Sequence, residues 1–251
     1  LRVIDVVDGQ MRLNGQPLYL RGVLDQGYFP EGWYTAINDD AIRRDVELTL
    51  ALGFNCARKH QKAEDPRYLY WADKLGLLVW GEMPSGRIFS DELIETLTSE
   101  WQALVRHDRG HPSIITWVPF NESWGVWHQA SRPGQRAFVQ AVAGLTRALD
   151  SSRPIVGNDG WEPATGDLWT LHLYAGEEQG VSDAGNDGEN QSERNNLTDR
   201  LARLIADPNS PIAGQSGEKG VRVGALPGAN VEGLPIPLTE CGGIGFAAGV
   251  A

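Results

Sequence analysis

Between residues 114 and 122 the chain reads Ile114-Ile115-Thr116-Trp117-Val118-Pro119-Phe120-Asn121-Glu122. Six of the first seven residues are apolar, so both faces of an extended segment here are apolar. Strands of this kind are buried on both sides, which is typical of parallel strands covered by helices. The apolar run then ends at Asn121-Glu122. The stretch therefore predicts a buried parallel strand with an amide and a carboxylate at its carboxyl end.

Similar short apolar runs recur along the chain, and helical segments separate most of them. The predicted strands are 18–23, 54–58, 77–80, 114–120, 154–156, 168–172 and 235–239. Capping residues predict where the helices between them begin and end. These are Asp39 and Asp40, Asp65 with Pro66, and Ser90 at the starts, and Gly53 and Gly76 at the ends. Apolar stripes predict two further helices, over 138–149 and 197–206.

This alternation predicts an α/β protein, and specifically a (β/α)8 TIM barrel. The length of 251 residues is about that of one such barrel. Since seven strands are visible, we expect the barrel to be truncated before or within the eighth strand. The turn dipeptides Asp8-Gly9 and Asn14-Gly15 predict a small hairpin ahead of the barrel. Residues 176–196 are expected to form a long loop, and 208–235 to be rich in loops.

The composition excludes several classes of function. A formal net charge of -11 repels phosphate backbones, so we expect no nucleic-acid binding. The chain contains no run of 18 apolar residues, and we therefore expect no membrane span. Residues 1–5 do not resemble a signal peptide, so we expect a cytoplasmic protein. The oligomeric state is left open, with a homo-oligomer as one alternative.

Polar clusters directly follow the apolar runs, at the carboxyl end of each predicted strand. In α/β barrels the active site forms at this end of the strands. The sequence therefore predicts one functional site assembled from several strands. The clusters are Asp25-Gln26, Arg58-Lys59-His60, Glu82, Asn121-Glu122, Asn158-Asp159, His172 with Tyr174, and Glu240.

Two carboxylates among these clusters suit the hydrolysis of a glycosidic bond. Glu122 follows the fourth predicted strand and Glu240 the seventh, and these positions face each other across the mouth of an eight-stranded ring. Glycoside hydrolysis uses one carboxyl group as proton donor and another as nucleophile or base. A separation of about 5–5.5 Å indicates retention of configuration, and about 6.5–9.5 Å indicates inversion. For either residue alone, a structural ion pair stays an alternative.

Motifs along the chain resemble those of family 2 glycoside hydrolases, the family of β-galactosidases, β-glucuronidases and β-mannosidases. The acid/base motif of that family resembles Trp117-Val118-Pro119-Phe120-Asn121-Glu122-Ser123-Trp124-Gly125. Its nucleophile motif resembles Thr239-Glu240-Cys241-Gly242-Gly243. The resemblance continues in Asn14-Gly15-Gln16-Pro17-Leu18-Tyr19-Leu20-Arg21-Gly22-Val23, in Gly53-Phe54-Asn55, in Arg58-Lys59-His60 and in Tyr70-Trp71-Ala72-Asp73-Lys74-Leu75-Gly76-Leu77-Leu78-Val79-Trp80-Gly81-Glu82. These segments lie in order over nearly the whole chain.

The resemblance implies a retaining mechanism with two catalytic residues. Glu240 is expected to attack the sugar, and Glu122 to act as general acid and then as general base. It also implies that Asn121 binds the sugar 2-hydroxyl, that Arg58 keeps Glu240 ionised, and that Tyr174 orients Glu240. Further substrate-binding candidates are His172, Glu82, Asp25, His60 and Trp161.

We therefore expect residues 1–251 to form part of a catalytic TIM-barrel domain, without the β-sandwich domains that flank it in the family. The expected activity is that of an exo-β-glycosidase acting on an oligosaccharide or glycoside, with β-galactosidase first and β-glucuronidase or β-mannosidase as alternatives. A non-catalytic carbohydrate-binding barrel and an inverting glycosidase stay open as alternatives. The histidines show no zinc-site spacing, so we expect neither a catalytic metal nor a cofactor.

Overall fold

An antiparallel meander precedes the barrel. The structure is a computed structural model that describes residues 2–173, 197–214 and 221–241. Strands β1 (Ile4–Val7), β2 (Gln10–Leu13) and β3 (Gln16–Pro17) pair in that order. Both connecting turns use two residues with positive φ, Asp8-Gly9 and Asn14-Gly15, as two-residue hairpin turns require. The predicted hairpin is thus confirmed.

Four parallel strands follow, and they form one sheet in the order β4-β5-β6-β7. Their bounds are Gly22–Asp25, Cys56–Lys59, Leu78–Glu82 and Ile114–Val118. The connecting helices are α1 (Asp39–Ala51), α2 (Pro66–Leu75) and α3 (Asp91–Asp108). Each helix brings the chain back to the end of the sheet where the strands begin, so the four strands run parallel and their carboxyl ends lie together.

Local capping chemistry sets the bounds of these helices. Asp65 accepts a hydrogen bond from the backbone N–H of Arg67 ahead of α2, and Gly76 ends that helix in the left-handed conformation. Ser90 accepts from Leu93 N at the start of α3. For α1 the prediction was wrong by one residue, because Asn38 is the cap that accepts from Ala41 N.

The second half of the barrel is less regular. Helix α4 (Pro133–Leu149) leads to a segment that forms two isolated parallel bridges, Trp117↔Ile155 with β7 and Asn121↔Asp159 with the residues that follow β7. Strand β8 (Leu171–Leu173) pairs in parallel with β11 (Leu238–Cys241). Between them lie α5 (Leu197–Ala206) and the antiparallel pair β9 (Pro211–Gly214) and β10 (Val221–Val223). Two strands therefore lie within 208–235, where the sequence predicted loops.

Together these elements build a TIM barrel in which seven strand positions are described. A cavity of about 650 Å³ lies between the two outer edges, lined by residues 22–24 on one side and 237–239 on the other. Within the described ranges, no strand pairs with the outer edge of β4 or of β11. The predicted loop over 176–196 falls outside the described residues.

The first barrel strand departs from its prediction. Pairing with β5 begins only at Gly22↔Cys56, and β4 alternates between exposed and half-buried residues. Its free edge faces the cavity, so the prediction of a buried strand over 18–23 was wrong. Leu18 and Leu20 instead pack, partly buried, against the core that includes Ile4 and Met11.

The largest core lies between the sheet and its helices. Trp101 of α3 and Trp117 of β7 are fully buried there, with ring centroids 5.7 Å apart in an edge-to-face arrangement. None of the helices in the described ranges is long and apolar enough to cross a membrane.

Candidate active site

The candidate site lies at the carboxyl ends of the barrel strands. Arg58 comes from β5, Glu82 is the last residue of β6, and Glu122 follows β7. His172 and Glu240 stand opposite each other in the parallel pair of β8 and β11. Since every strand runs in the same direction, side chains far apart in the chain converge here.

The guanidinium of Arg58 is the centre of the site. Its Nε lies 2.7 Å from Glu82, and its Nη1 lies 2.7 Å from Glu240 and 2.9 Å from Asp159. Its Nη2 donates to the side-chain oxygen of Asn121 at 2.6 Å. All these groups are buried. One buried cation thus holds three carboxylates and an amide in fixed positions, as a planar fork of five N–H groups allows.

Burial and charge shift the acidities in this cluster in different directions. Burial raises the pKa of Glu82 to about 7, against the opposing charge of Arg58. Burial alone would also raise the pKa of Asp159, but the charges of Arg58 and His172 hold that pKa well below its ordinary value. Asp159 therefore stays ionised throughout the neutral range, whereas Glu82 titrates near pH 7.

The imidazole of His172 lies between the two predicted catalytic carboxylates. Its Nδ1 is 2.9 Å from Glu122 Oε1, and its Nε2 is 3.3 Å from Asp159 and 3.6 Å from Glu240. Burial would lower the pKa of His172, but the charge of Asp159 and the hydrogen bonds to Asp159 and Glu122 raise it to about 9. The ring is therefore an imidazolium that donates from both nitrogens at neutral pH.

The two predicted catalytic carboxylates lie close together. One oxygen of Glu122, one of Glu240 and a nitrogen of His172 all lie within 4.8 Å of one another. That spacing is close to the distance of about 5–5.5 Å between the carboxyl groups of retaining glycosidases, and is short of the inverting range. Glu240 is buried and Glu122 is partly open to solvent. The arrangement suits a held nucleophile beside a proton-transfer group that substrate can reach.

A metal ion is a poor fit to the same three residues. Glu122, His172 and Glu240 form a group that has the spacing of a cation site. However, Arg58 Nη1 already lies 2.7 Å from Glu240, and the proton on each nitrogen of a charged His172 blocks its coordination. Two positive charges at the site therefore oppose a third.

Two further groups offer unused hydrogen-bonding capacity. The amide nitrogen of Asn121 and Nδ1 of His60 have no hydrogen-bond partner among the described residues. His60 Nδ1 lies 3.5 Å from both Glu82 and Glu240. Asn121 and His60 therefore lie where a bound ligand could complete their hydrogen bonds.

Other predicted site residues are placed differently. Asp25 points away from the site. It pairs with Lys59 and lies on the same face of the sheet as Lys59, whereas Arg58 lies on the opposite face. The prediction of Asp25 as a substrate ligand is therefore wrong. Trp161 is buried, and its ring packs edge-to-face against that of His172 with the ring centroids 5.7 Å apart. Glu82 holds Arg58 and accepts from Gln61 N at 3.0 Å. Tyr174 lies outside the described residues.

Sequence reasoning missed several groups that support the site. Thr239 donates to Asp159 at 2.8 Å. Ser123, the neighbour of Glu122, donates to Glu162 at 2.8 Å, and Glu162 pairs with Arg222 at 3.0 Å. The adjacency of Ser123 and Thr239 to the two glutamates was the available signal for those two residues. Arg222 had none, because it lies in the region predicted to be loops.

Comparisons with known proteins agree with this fold. A family model described as "Glycosyl hydrolases family 2, TIM barrel domain" matches residues 4–181. A β-galactosidase of Photobacterium profundum is 30% identical in an alignment of 183 positions that covers 69% of this chain and 17% of that protein. A β-galactosidase of Lactococcus lactis is 31% identical over 62% of this chain and 15% of its own length. The chain thus spans less than a fifth of these relatives.

Solved structures give a second comparison. The β-glucuronidase 3 of Bacteroides uniformis superposes with a TM-score of 0.63 at 25% identity, over 70% of this chain and 23% of that one. A β-galacturonidase of Eisenbergiella tayi superposes with a TM-score of 0.72 over 98% of this chain and 40% of that one, at 19% identity. The superposition on the β-galacturonidase covers both halves of the barrel, including the less regular second half. At 19% identity it supports the fold alone.

Proposed function

We propose that this chain hydrolyses β-glycosides with retention of configuration. The chain belongs to family 2 of the glycosyl hydrolases and carries the TIM-barrel domain of that family. Glu240 is the nucleophile and Glu122 the general acid/base. The observation that carries the proposal is that these two carboxylates approach within 4.8 Å at the end of the barrel where active sites form.

In the first step, a carboxylate oxygen of Glu240 attacks the anomeric carbon of the sugar. The bond between that carbon and the leaving oxygen breaks, and Glu122 delivers its proton to this oxygen. The product is a glycosyl ester on Glu240. Arg58, 2.7 Å from Glu240, favours the ionised and therefore nucleophilic form of that carboxylate.

In the second step, water attacks the anomeric carbon of the ester. Glu122, now ionised, takes a proton from the water, and the carbon–oxygen bond to Glu240 breaks to restore the carboxylate. The imidazolium of His172 donates to Glu122 at 2.9 Å. This hydrogen bond holds the Glu122 side chain in the position from which it takes the proton.

The names of the relatives and the charges near the site support a choice of sugar. Relatives at 30% and 31% identity are named β-galactosidase, whereas the structural neighbours include proteins that act on glucuronides and galacturonides. A uronic acid carries a carboxylate, for which a free cation is the usual partner. The cations that β5 and its following turn supply, Arg58, Lys59 and Lys62, are already engaged with carboxylates. This supports a neutral sugar, and we propose a terminal β-galactoside as substrate.

A panel of nitrophenyl β-glycosides tests the proposal. We expect the galactoside to be hydrolysed faster than the glucuronide, galacturonide and mannoside, and proton NMR to show the β-anomer as first product. Glu122→Gln is expected to lower kcat/KM by about 10²–10⁴-fold on a substrate with a poor leaving group, and Glu240→Gln is expected to be inactive.

Glu100→Gln is the matched control, since Glu100 is exposed on α3, and it should turn over like the wild type. Normal turnover in both active-site variants overturns the assignment of the site. A first product with inverted configuration overturns the double-displacement mechanism. Preference for a uronide overturns the choice of sugar alone.

A further inference from the structure

The turn that carries Glu122 has an unusual backbone. Glu122 and Ser123 are consecutive non-glycine residues with φ values of 50° and 57°. Side chains at such φ values are strained, and the conformation persists only where its surroundings hold it. The orientation of Glu122 therefore depends on whatever fixes Ser123.

Four hydrogen bonds fix Ser123. Its N–H donates to Asn158 Oδ1 at 2.9 Å, and its Oγ donates to Glu162 Oε2 at 2.8 Å. The same Oγ accepts from Asn158 Nδ2 and from Gln129 Nε2, each at 3.1 Å. One donated and two accepted bonds fill the capacity of a hydroxyl group. Ser123 is thus held in one position from three directions.

Arg222 connects this anchor to a distant part of the chain. Its Nη1 lies 3.0 Å from Glu162 Oε2, the oxygen that accepts from Ser123, and it donates to the backbone carbonyl of Trp127 at 2.8 Å. Its guanidinium also lies 5.3 Å from the centre of the Trp127 ring. Arg222 therefore contacts the loop after β7 directly at Trp127. It also contacts that loop indirectly, because Glu162 binds both Arg222 and Ser123.

The pair is too deeply buried to be explained by stability alone. Arg222 is 1% exposed and Glu162 is 3% exposed. Removing two charges from water is costly, and apolar replacements of such pairs are often neutral or stabilising. Glu162 itself has a φ of 49°, so a second strained residue is kept in place at this contact. Since the pair is expected to add little net stability, its effect lies in the geometry that it imposes on Ser123.

Arg222 lies far along the chain from the turn that carries Glu122. It belongs to β10, in the segment between β8 and β11, beyond residues 4–181 that the family model matches. Glu162 N also donates to Val223 O at 3.1 Å. The segment is therefore bonded to Glu162, which in turn accepts a hydrogen bond from Ser123.

We propose that Glu162 and Arg222 are positioning residues for Glu122, and that the segment containing β10 clamps the turn from which Glu122 delivers its proton. This inference rests on the proposed function, because it assumes that Glu122 transfers protons. Its consequence depends on the leaving group. A misplaced acid slows glycosides whose leaving oxygen needs a proton, and has little effect where the departing group is a stable anion.

The experiment compares Arg222→Met, Glu162→Gln and the wild type on methyl and dinitrophenyl β-galactosides, using kcat/KM, which reports only the steps up to formation of the glycosyl-enzyme. A displacement of about 1 Å in a catalytic group costs roughly 100-fold, so we expect Arg222→Met to lose about that factor on the methyl glycoside. On the dinitrophenyl glycoside we expect a loss below about tenfold. Glu162→Gln keeps an acceptor for Ser123 and should fall between Arg222→Met and the wild type.

Arg153→Met is the control. Arg153 pairs with the buried Asp150 near the amino end of the strand position that follows α4, so its loss disturbs a buried pair away from the site. It should show equal changes on both substrates. If Arg222→Met also lowers both rates by one factor, the pair is merely structural and the proposal fails.

Hydrogen exchange of the backbone provides a readout that needs no activity. We expect faster exchange confined to peptides covering 122–129 in Arg222→Met, and unchanged exchange there in Arg153→Met. Unchanged exchange at 122–129 in both variants overturns the clamp. A wild type that hydrolyses neither galactoside overturns the proposed sugar, and one that hydrolyses no glycoside of the panel overturns the proposed function, while the exchange result still decides for or against the clamp.

Discussion

Arg58 and Lys59 are neighbours on β5, yet each organises a different buried cluster. Arg58 points into the barrel and binds Glu82, Asp159 and Glu240. Lys59 points towards the helices, where its Nζ lies 2.6 Å from Asp25 and 2.7 Å from Glu64. Successive side chains of a strand face opposite sides of the sheet. One strand therefore supplies a cation to the active site and another to the scaffold.

The two clusters differ in the residues that surround them. In the Arg58 cluster, Asn121 and His60 keep polar atoms without a hydrogen-bond partner among the described residues, and Glu122 is partly open to solvent. In the Lys59 cluster, Nζ lies between two carboxylates and 4.2 Å from the centre of the Tyr68 ring. Arg58 therefore belongs to the candidate active site because it binds Glu240, whereas Lys59 belongs to the scaffold because it binds two carboxylates on the opposite face of the strand.

Among the variants that test this comparison of two clusters, Arg58→Met has the largest expected effect. The variant leaves Glu82, Asp159 and Glu240 without their shared cation, so Glu240 loses both its position and the charge that favours its ionised form. We expect kcat/KM on the preferred galactoside to fall by about 10³-fold, the scale of losing a preorganised charged group. Steady-state kinetics measure this, and a loss below tenfold would break the distinction between the two clusters.

Lys59→Met is the matched counterpart on the other face of the strand. It leaves the half-buried carboxylates of Asp25 and Glu64 beside one positive charge fewer, and losing a hydrogen bond to a charged group costs about 1.5–3 kcal/mol of stability. We expect that loss in denaturant unfolding, with kcat/KM within about twofold of wild type for the folded protein, as in additive effects at independent sites. A large loss of kcat/KM with unchanged stability would contradict a scaffold role.

A pH titration of stability sharpens the account of the Arg58 cluster. The pKa of His172 is raised from 6.5 to about 9, so its contribution is fully present below pH 6.5 and is lost as the pH rises through about 9. The shift corresponds to roughly 3 kcal/mol. We expect the unfolding free energy of the wild type to fall between pH 6.5 and 9, and His172→Asn to lack that component of the slope. An identical slope in both proteins would show that His172 is not charged in the folded state.

The smallest expected effect is that of Asp25→Asn. The amide oxygen still accepts from Gly27 N, but the charge opposite Lys59 is lost, while Glu64 remains to pair with it. We expect a stability loss of about 1 kcal/mol, the scale of one hydrogen bond, with no change in sugar preference on the glycoside panel. A changed preference among the sugars of the panel would show that Asp25 does contact the substrate.

Much of the fold followed from local signals in the sequence. Caps such as Asp65 and Ser90 sit where helices begin, and apolar runs such as 114–118 became buried strands. Glu122 and Glu240 were drawn together because parallel strands end at one edge of a barrel. These inferences needed only periodicity and a shared direction of the strands.

Other features depend on side-chain direction, which an apolar run does not specify. Asp25 is the last residue of β4 and Arg58 the last but one of β5, but the register of the two strands puts Asp25 on the face of Lys59. Arg222 lies in a three-residue strand without a periodic pattern, and its contact with Glu162 spans 60 residues of sequence. The positive φ of Glu122 also has no local signal, because tertiary contacts to Ser123 hold it.

The most direct test of the central claim is to trap the covalent intermediate. A 2-deoxy-2-fluoro β-galactoside with a good leaving group slows both steps, because fluorine destabilises the oxocarbenium-like transition state, and it lets the ester accumulate. Mass spectrometry of the digested protein is expected to show the sugar mass on the peptide that contains Glu240, and none in Glu240→Gln. A label on any other residue, or the absence of a label from a protein that hydrolyses the parent galactoside, would contradict the assignment of Glu240 as nucleophile.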